Sequence, residues 1–79
     1  MSFKSVMNKM AKSFGMKVDI VGNTAYMIEM NSDYRPSPKV WQKKFIYHSD
    51  DRVSVIMRGK KLVGAEGNTF SLAKLNAIC

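Results

Sequence analysis

Apolar residues along this chain recur first at helical spacing, then at strand spacing through two long stretches, and finally at helical spacing again. From residue 2 to 14, Phe3, Val6, Met7, Met10 and Phe14 fall within an arc of about 100° when wound at roughly 100° per residue, with Lys4, Lys9 and Lys12 opposite. Ser2 suits an N-cap and Gly15 a left-handed terminator, so both helix ends are marked. A stripe of Phe and Met opposite Lys also fits a helix lying on a membrane surface. A domain this small needs the stripe for its own core, which favours packing on the protein.

Met16 to Val21 and Thr24 to Met30 alternate around Gly22-Asn23, a pair suited to the positive φ angles of a tight hairpin. Matching apolar with apolar places Met16 opposite Met30, Val18 opposite Ile28 and Ile20 opposite Tyr26, with Lys17 beside Glu29 on the other face. That register predicts a loop of about three residues. Asn31 to Lys39, NSDYRPSPK, holds both prolines and almost nothing apolar, and reads as the crossover loop between hairpins.

The strongest β pattern runs from Trp41 to Gly64, where two alternating runs flank Ser49-Asp50-Asp51. Placing Tyr47 opposite Val53, Phe45 opposite Val55 and Lys43 opposite Met57 clears one face of charge except for Lys43. The other face then pairs His48 with Arg52, Ile46 with Ser54, Lys44 with Ile56 and Gln42 with Arg58, and a slip of one residue would scramble this separation. Gly59-Lys60-Lys61 reads as a second turn. Leu62 to Ala65 can then return as a third strand, with Val63 beside Met57 and Ala65 beside Val55. After Gly67 the alternation ends, and Asn68 or Thr69 can cap a terminal helix carrying Leu72, Leu75 and Ile78.

The predicted architecture is a single α+β domain over residues 1–79: N-terminal helix, β-hairpin, three-stranded antiparallel meander and short C-terminal helix. Both helices pack on one face of a single antiparallel sheet. The 46% hydrophobic content marks a folding chain rather than a disordered one. At 79 residues the buried fraction is modest, so a second copy of the chain is a candidate partner and a homodimer a route to added stability. Met7, Met10, Met16, Met30 and Met57 all fall on predicted inner faces, where thioethers fill irregular gaps. Trp41, Phe45 and Tyr47 alternate in step with Val53, Val55 and Met57, which favours core packing over an exposed stacking platform.

Composition narrows the chemistry. The single cysteine, Cys79, cannot form an internal disulfide, and His48 has no Cys, second His or carboxylate at metal-ligand spacing. Without a nucleophile set, paired carboxylates or a GxxxxGK[ST] loop, the chain reads as a non-enzymatic binding module with no cofactor or metal. No signal-like segment or apolar run long enough to span a membrane occurs, so the expected location is cytoplasmic. Thirteen Lys and Arg against six Asp and Glu give a formal net charge of +7, which favours a polyanionic partner.

The meander's register gathers Lys44, Arg52, Arg58, Lys60 and Lys61 beside His48 on the solvent face, and the crossover loop adds Arg35, with Tyr34 as a candidate aromatic contact. Such a patch neutralises phosphates without reading sequence. The segment from Val53 to Ala77, a strand, a turn with Gly59, further glycines at Gly64 and Gly67, and a helix with Ala73, Lys74 and Ala77, resembles the tail of double-stranded-RNA-binding domains over about a third of the chain. That family grips phosphates with a Lys-Lys pair where Phe70 and Ser71 stand here, and the N-terminal hairpin is foreign to its topology. The resemblance therefore sets no expectation. The expected function is nucleic-acid binding through the basic sheet face with little sequence specificity. The alternative is a small phage-type or mobile-element protein that docks on an acidic protein surface and inhibits or regulates a host nucleic-acid machine.

Overall fold

The computed structural model describes residues 2–58 and 69–79. Its elements run α1 (Phe3–Ser13), β1 (Met16–Val21), β2 (Thr24–Glu29), β3 (Lys43–Tyr47), β4 (Arg52–Met57), β5 (Phe70–Ser71) and α2 (Leu72–Ala77). The strands form one antiparallel sheet in the order β1-β2-β3-β4-β5, with both helices on one face. The α+β class and the placement of the helices are those expected from the residue pattern.

Local chemistry explains the ends of α1. The Ser2 hydroxyl accepts from the Ser5 amide while the Ser5 hydroxyl reaches back to the Ser2 backbone, so two amides that the helix leaves unpaired are satisfied. Gly15, at φ +64°, turns the chain out in the left-handed region. The helix buries Val6, Met7, Met10 and Ala11, whereas Phe14 lies at its C-terminal end, 44% exposed, with the Lys43 ammonium 5.0 Å from its ring centroid. The apolar stripe of α1 is thus spent on the core. No helix among the described residues is long and apolar enough to cross a membrane.

The β3–β4 hairpin has the expected register: Lys43 opposite Met57, Phe45 opposite Val55, Tyr47 opposite Val53. Phe45 and Val53 are core, joined by Ala25 and Met27 from β2, Met16 from β1, and Leu72 and Leu75 from α2. Tyr47 closes the rim, its ring 5.3 Å from that of Phe3 and its hydroxyl donating to Asp51.

The first hairpin differs from the expectation by one residue. Met16 faces Glu29, Val18 faces Met27, Ile20 faces Ala25 and Val21 faces Thr24, leaving a two-residue turn at Gly22-Asn23 with Gly22 at φ +61°. A slip of one residue turns a whole strand over. Ala25 and Met27 point to the helices, Tyr26 and Ile28 point away, and Met30 is 58% exposed. The expected Lys17–Glu29 pairing is replaced as well, because Lys17 Nζ donates to the Ser32 carbonyl at 2.7 Å. Ile28 is nonetheless only 5% exposed and Pro36 is buried, because the crossover loop after β2 lies over the outer face. With that cover, an apolar side chain on the outer side of β2 costs nothing in exposed area.

The chain's end is also corrected. Phe70 and Ser71 pair with Val53 and Arg52 as β5, so the cap of α2 moves from Asn68 or Thr69 to Ser71, whose hydroxyl accepts from the Lys74 amide. Pairing lays Phe70 against the core, which a first helical turn would have carried away. Leu72 and Leu75 are buried, and Ile78 lies beyond the helix, exposed. The turn at Gly59-Lys60-Lys61 and the third strand expected from Leu62 to Ala65 lie outside the described residues.

Candidate functional site

On the outer face, each pair of opposed residues carries side chains away from the helices. One row across the sheet runs Asp19, Tyr26, Lys44 and Ile56, and the next runs Thr24, Ile46 and Ser54. Beyond the ladder, the Arg58 amide donates to the Gln42 carbonyl (3.0 Å), which keeps Arg58 in the same register, two residues from Ile56 and on the same side.

Trp41 completes this end of the face. It precedes β3, so the alternation that carries Phe45 and Tyr47 inward does not govern it. Its half-buried ring lies beneath both the Arg58 guanidinium, 4.2 Å from the ring centroid, and the Lys44 ammonium at 4.8 Å. Trp41 is absent from the core cluster, so the expectation that it packs inward with Phe45 and Tyr47 is overturned. The Arg58 guanidinium also donates to the Lys39 carbonyl at 3.3 Å, which ties it to the crossover loop. A cation over an aromatic face contributes about 0.5–1 kcal/mol at an exposed site, enough to hold three side chains in one cluster.

The other residues singled out in the sequence are dispersed. His48 and Arg52 lie at the opposite end of the same two strands, four residues from Lys44 and six from Arg58, or about 13 and 20 Å at roughly 3.3 Å per residue. Arg52 is engaged with the chain itself: its Nε donates to the Thr69 hydroxyl at 2.7 Å and its Nη2 to the Thr69 carbonyl. His48 Nε2 shares a hydrogen bond with Ser54 Oγ at 2.7 Å, linking β3 to β4. A Ser–His pair serves acyl transfer when a third group orients the base. Among the described residues nothing hydrogen-bonds the other ring nitrogen, and the contact acts as a cross-strand tie.

Tyr34 is 64% exposed and Arg35 exposed, as the loop composition predicts. Arg35 shares a recess with Lys17, Val18, Asp19 and Pro36 beside β1, two strand spacings, on the order of 10 Å, from β3. It adds positive charge to the outer face without joining the Trp41 cluster. Lys60 and Lys61 lie outside the described residues. Among the described residues, no three His, Cys, Asp or Glu side chains stand together as a metal site.

The helix side has a different character. An apolar groove of about 220 Å³ runs between the helices and the sheet, lined by Phe45, Val55, Met57 and Phe70 and rimmed by Lys43 and Lys74. Among the described residues, the cation–aromatic contacts of the outer face gather at Trp41. The signal for that cluster was present in the sequence as an aromatic just outside a strand, followed by lysine, but the strand pattern pointed it the wrong way. No family model matches this chain, and the comparisons with curated proteins and with solved structures give no match.

Proposed function

We propose that the outer sheet face binds nucleic acid with little sequence specificity, with single-stranded segments engaged at Trp41. The observation that carries this reading is the Trp41 ring flanked by Lys44 and Arg58 on a protein of formal net charge +7. An aromatic ring offers stacking to any base, and the adjacent cations neutralise the phosphates on either side of it. A base that displaces one cation from the ring leaves that cation beside the adjoining phosphate, so stacking and neutralisation reinforce one another. The positive charge of Lys17, Arg35 and Arg52 extends the field along which a strand is drawn in.

Trp41 is the only tryptophan, so its fluorescence reports directly on the site. Titration with random single-stranded oligonucleotides at low salt should quench it. For about three phosphates neutralised, log affinity should fall against log salt with a slope near −2. Exchanging Lys44 and Arg58 for Glu should abolish the quenching while leaving the circular dichroism of the fold unchanged. Failure of the folded wild-type chain to bind any oligonucleotide at low salt would refute the proposal. Retrieval of an acidic protein, lost with the same two exchanges, would install the acidic-partner reading in its place.

A further inference from the structure

β1 forms one edge of the sheet, and among the described residues its only strand neighbour is β2. The phase of its backbone follows from two hydrogen bonds. The Met30 amide donates to the Gly15 carbonyl, and the Tyr47 amide to the Asn23 carbonyl. Odd-numbered residues of β2 therefore turn their backbone groups to β3 and even-numbered ones to β1, so Lys17, Asp19 and Val21 are the β1 residues bonded to β2. Met16, Val18 and Ile20 consequently direct their N–H and C=O groups out of the sheet edge. None of the turn, loop or side-chain hydrogen bonds among the described residues reaches them.

Edges of this kind template strand addition unless a proline, a bulge or outward charge blocks it. β1 has no proline, and its pairing with β2 is continuous over all six residues. Its charges, moreover, are self-complementary. Antiparallel pairing with an identical strand must bring outward-pointing residues together, which restricts the register to those centred on Lys17, Val18 or Asp19. Centring on Lys17 sets lysine against lysine, and centring on Asp19 sets aspartate against aspartate. Centring on Val18 alone places Lys17 of each copy opposite Asp19 of the other on the outer face, with Met16 opposite Ile20 on the inner face.

We propose that this chain forms a homodimer by antiparallel pairing of β1 with β1 of a second copy about a two-fold axis at Val18. The axis stands perpendicular to the sheet, so the two sheets become one, all helices lie on one side and the two outer faces lie side by side on the other. Any ligand of the outer face then meets a surface twice as wide, although the pairing itself requires no ligand.

Sedimentation velocity over a range of protein concentrations, without nucleic acid and at an ionic strength that screens the repulsion between two cationic copies, tests the proposal. The wild-type chain should show reversible monomer–dimer exchange. Asp19→Lys sets lysine against lysine twice in each dimer and should raise the dissociation constant about tenfold, from two cross-edge pairs whose sign is reversed, each with a half-buried Lys17 whose ammonium is also held by the Ser32 carbonyl. Adding Lys17→Asp to the same chain exchanges the charges within each strand and should restore the dimer. Circular dichroism confirms that each variant folds. A wild-type monomer at every concentration would overturn the proposal, as would a dimer indifferent to Asp19→Lys or one that the double exchange fails to restore.

Discussion

Phe45 offers the sharpest test of the two-faced sheet, because its neighbour Ile46 provides the control on the same strand. Phe45 is 3% exposed and lies between Ala25 of β2 and Val55 of β4, with the methionines of α1 in the same cluster. Ile46 points to the outer face and is half-buried. Truncating a fully buried Phe to Ala removes its transfer free energy and leaves a cavity, at a cost of about 3–5 kcal/mol. A 79-residue domain has a total stability of about 4–12 kcal/mol at the usual 0.05–0.15 kcal/mol per residue. Phe45→Ala thus removes about a quarter or more of the total, and at about 4–8 °C per kcal/mol the midpoint of thermal unfolding should drop by at least about 12 °C. Ile46→Ala removes contacts on one side only and should cost about 1 kcal/mol, a drop of less than about 8 °C. Both are read by far-ultraviolet circular dichroism during heating and by urea titration. Equal losses for the two variants, or a Phe45→Ala midpoint within a few degrees of wild type, would refute the assignment of Phe45 to the core face.

Two further outcomes follow from the turns and caps. Gly22→Ala should cost about 1–2 kcal/mol through backbone strain alone, since φ is +61° and no atom lies within 4 Å of the added Cβ, while Gly22→Asn should cost less than half as much. Equal effects from Ala and Asn in urea titrations would place the cost elsewhere. Ser2→Ala should lose about 1 kcal/mol by removing the acceptor for the Ser5 amide, and a hydrogen-exchange profile with no faster exchange in the first turn of α1 would contradict that role.

Much of this fold follows from the sequence because its local signals agree. Ser2 and Gly15 bracket an apolar stripe that only a helix aligns, and the β3–β4 register follows because one alignment alone separates charge from apolar surface. Tertiary structure decided the rest where the pattern was ambiguous. On β2 both alternations, Ala25 and Met27 or Tyr26 and Ile28, are apolar enough to face a core. The turn conformation at Gly22-Asn23 and the loop that buries Ile28 settle the choice, and neither is encoded in the strand's periodicity. Trp41 stands just outside β3, where alternation has no authority, so its partners depend on how the loop returns across the sheet. The basic residues of the outer strands were identifiable one by one, yet which of them share an aromatic ring, which are held by the chain's own carbonyls, and which lie on the far side of the sheet are distances between strands. Such distances are set by the packing of the whole domain, and no stretch of sequence contains them.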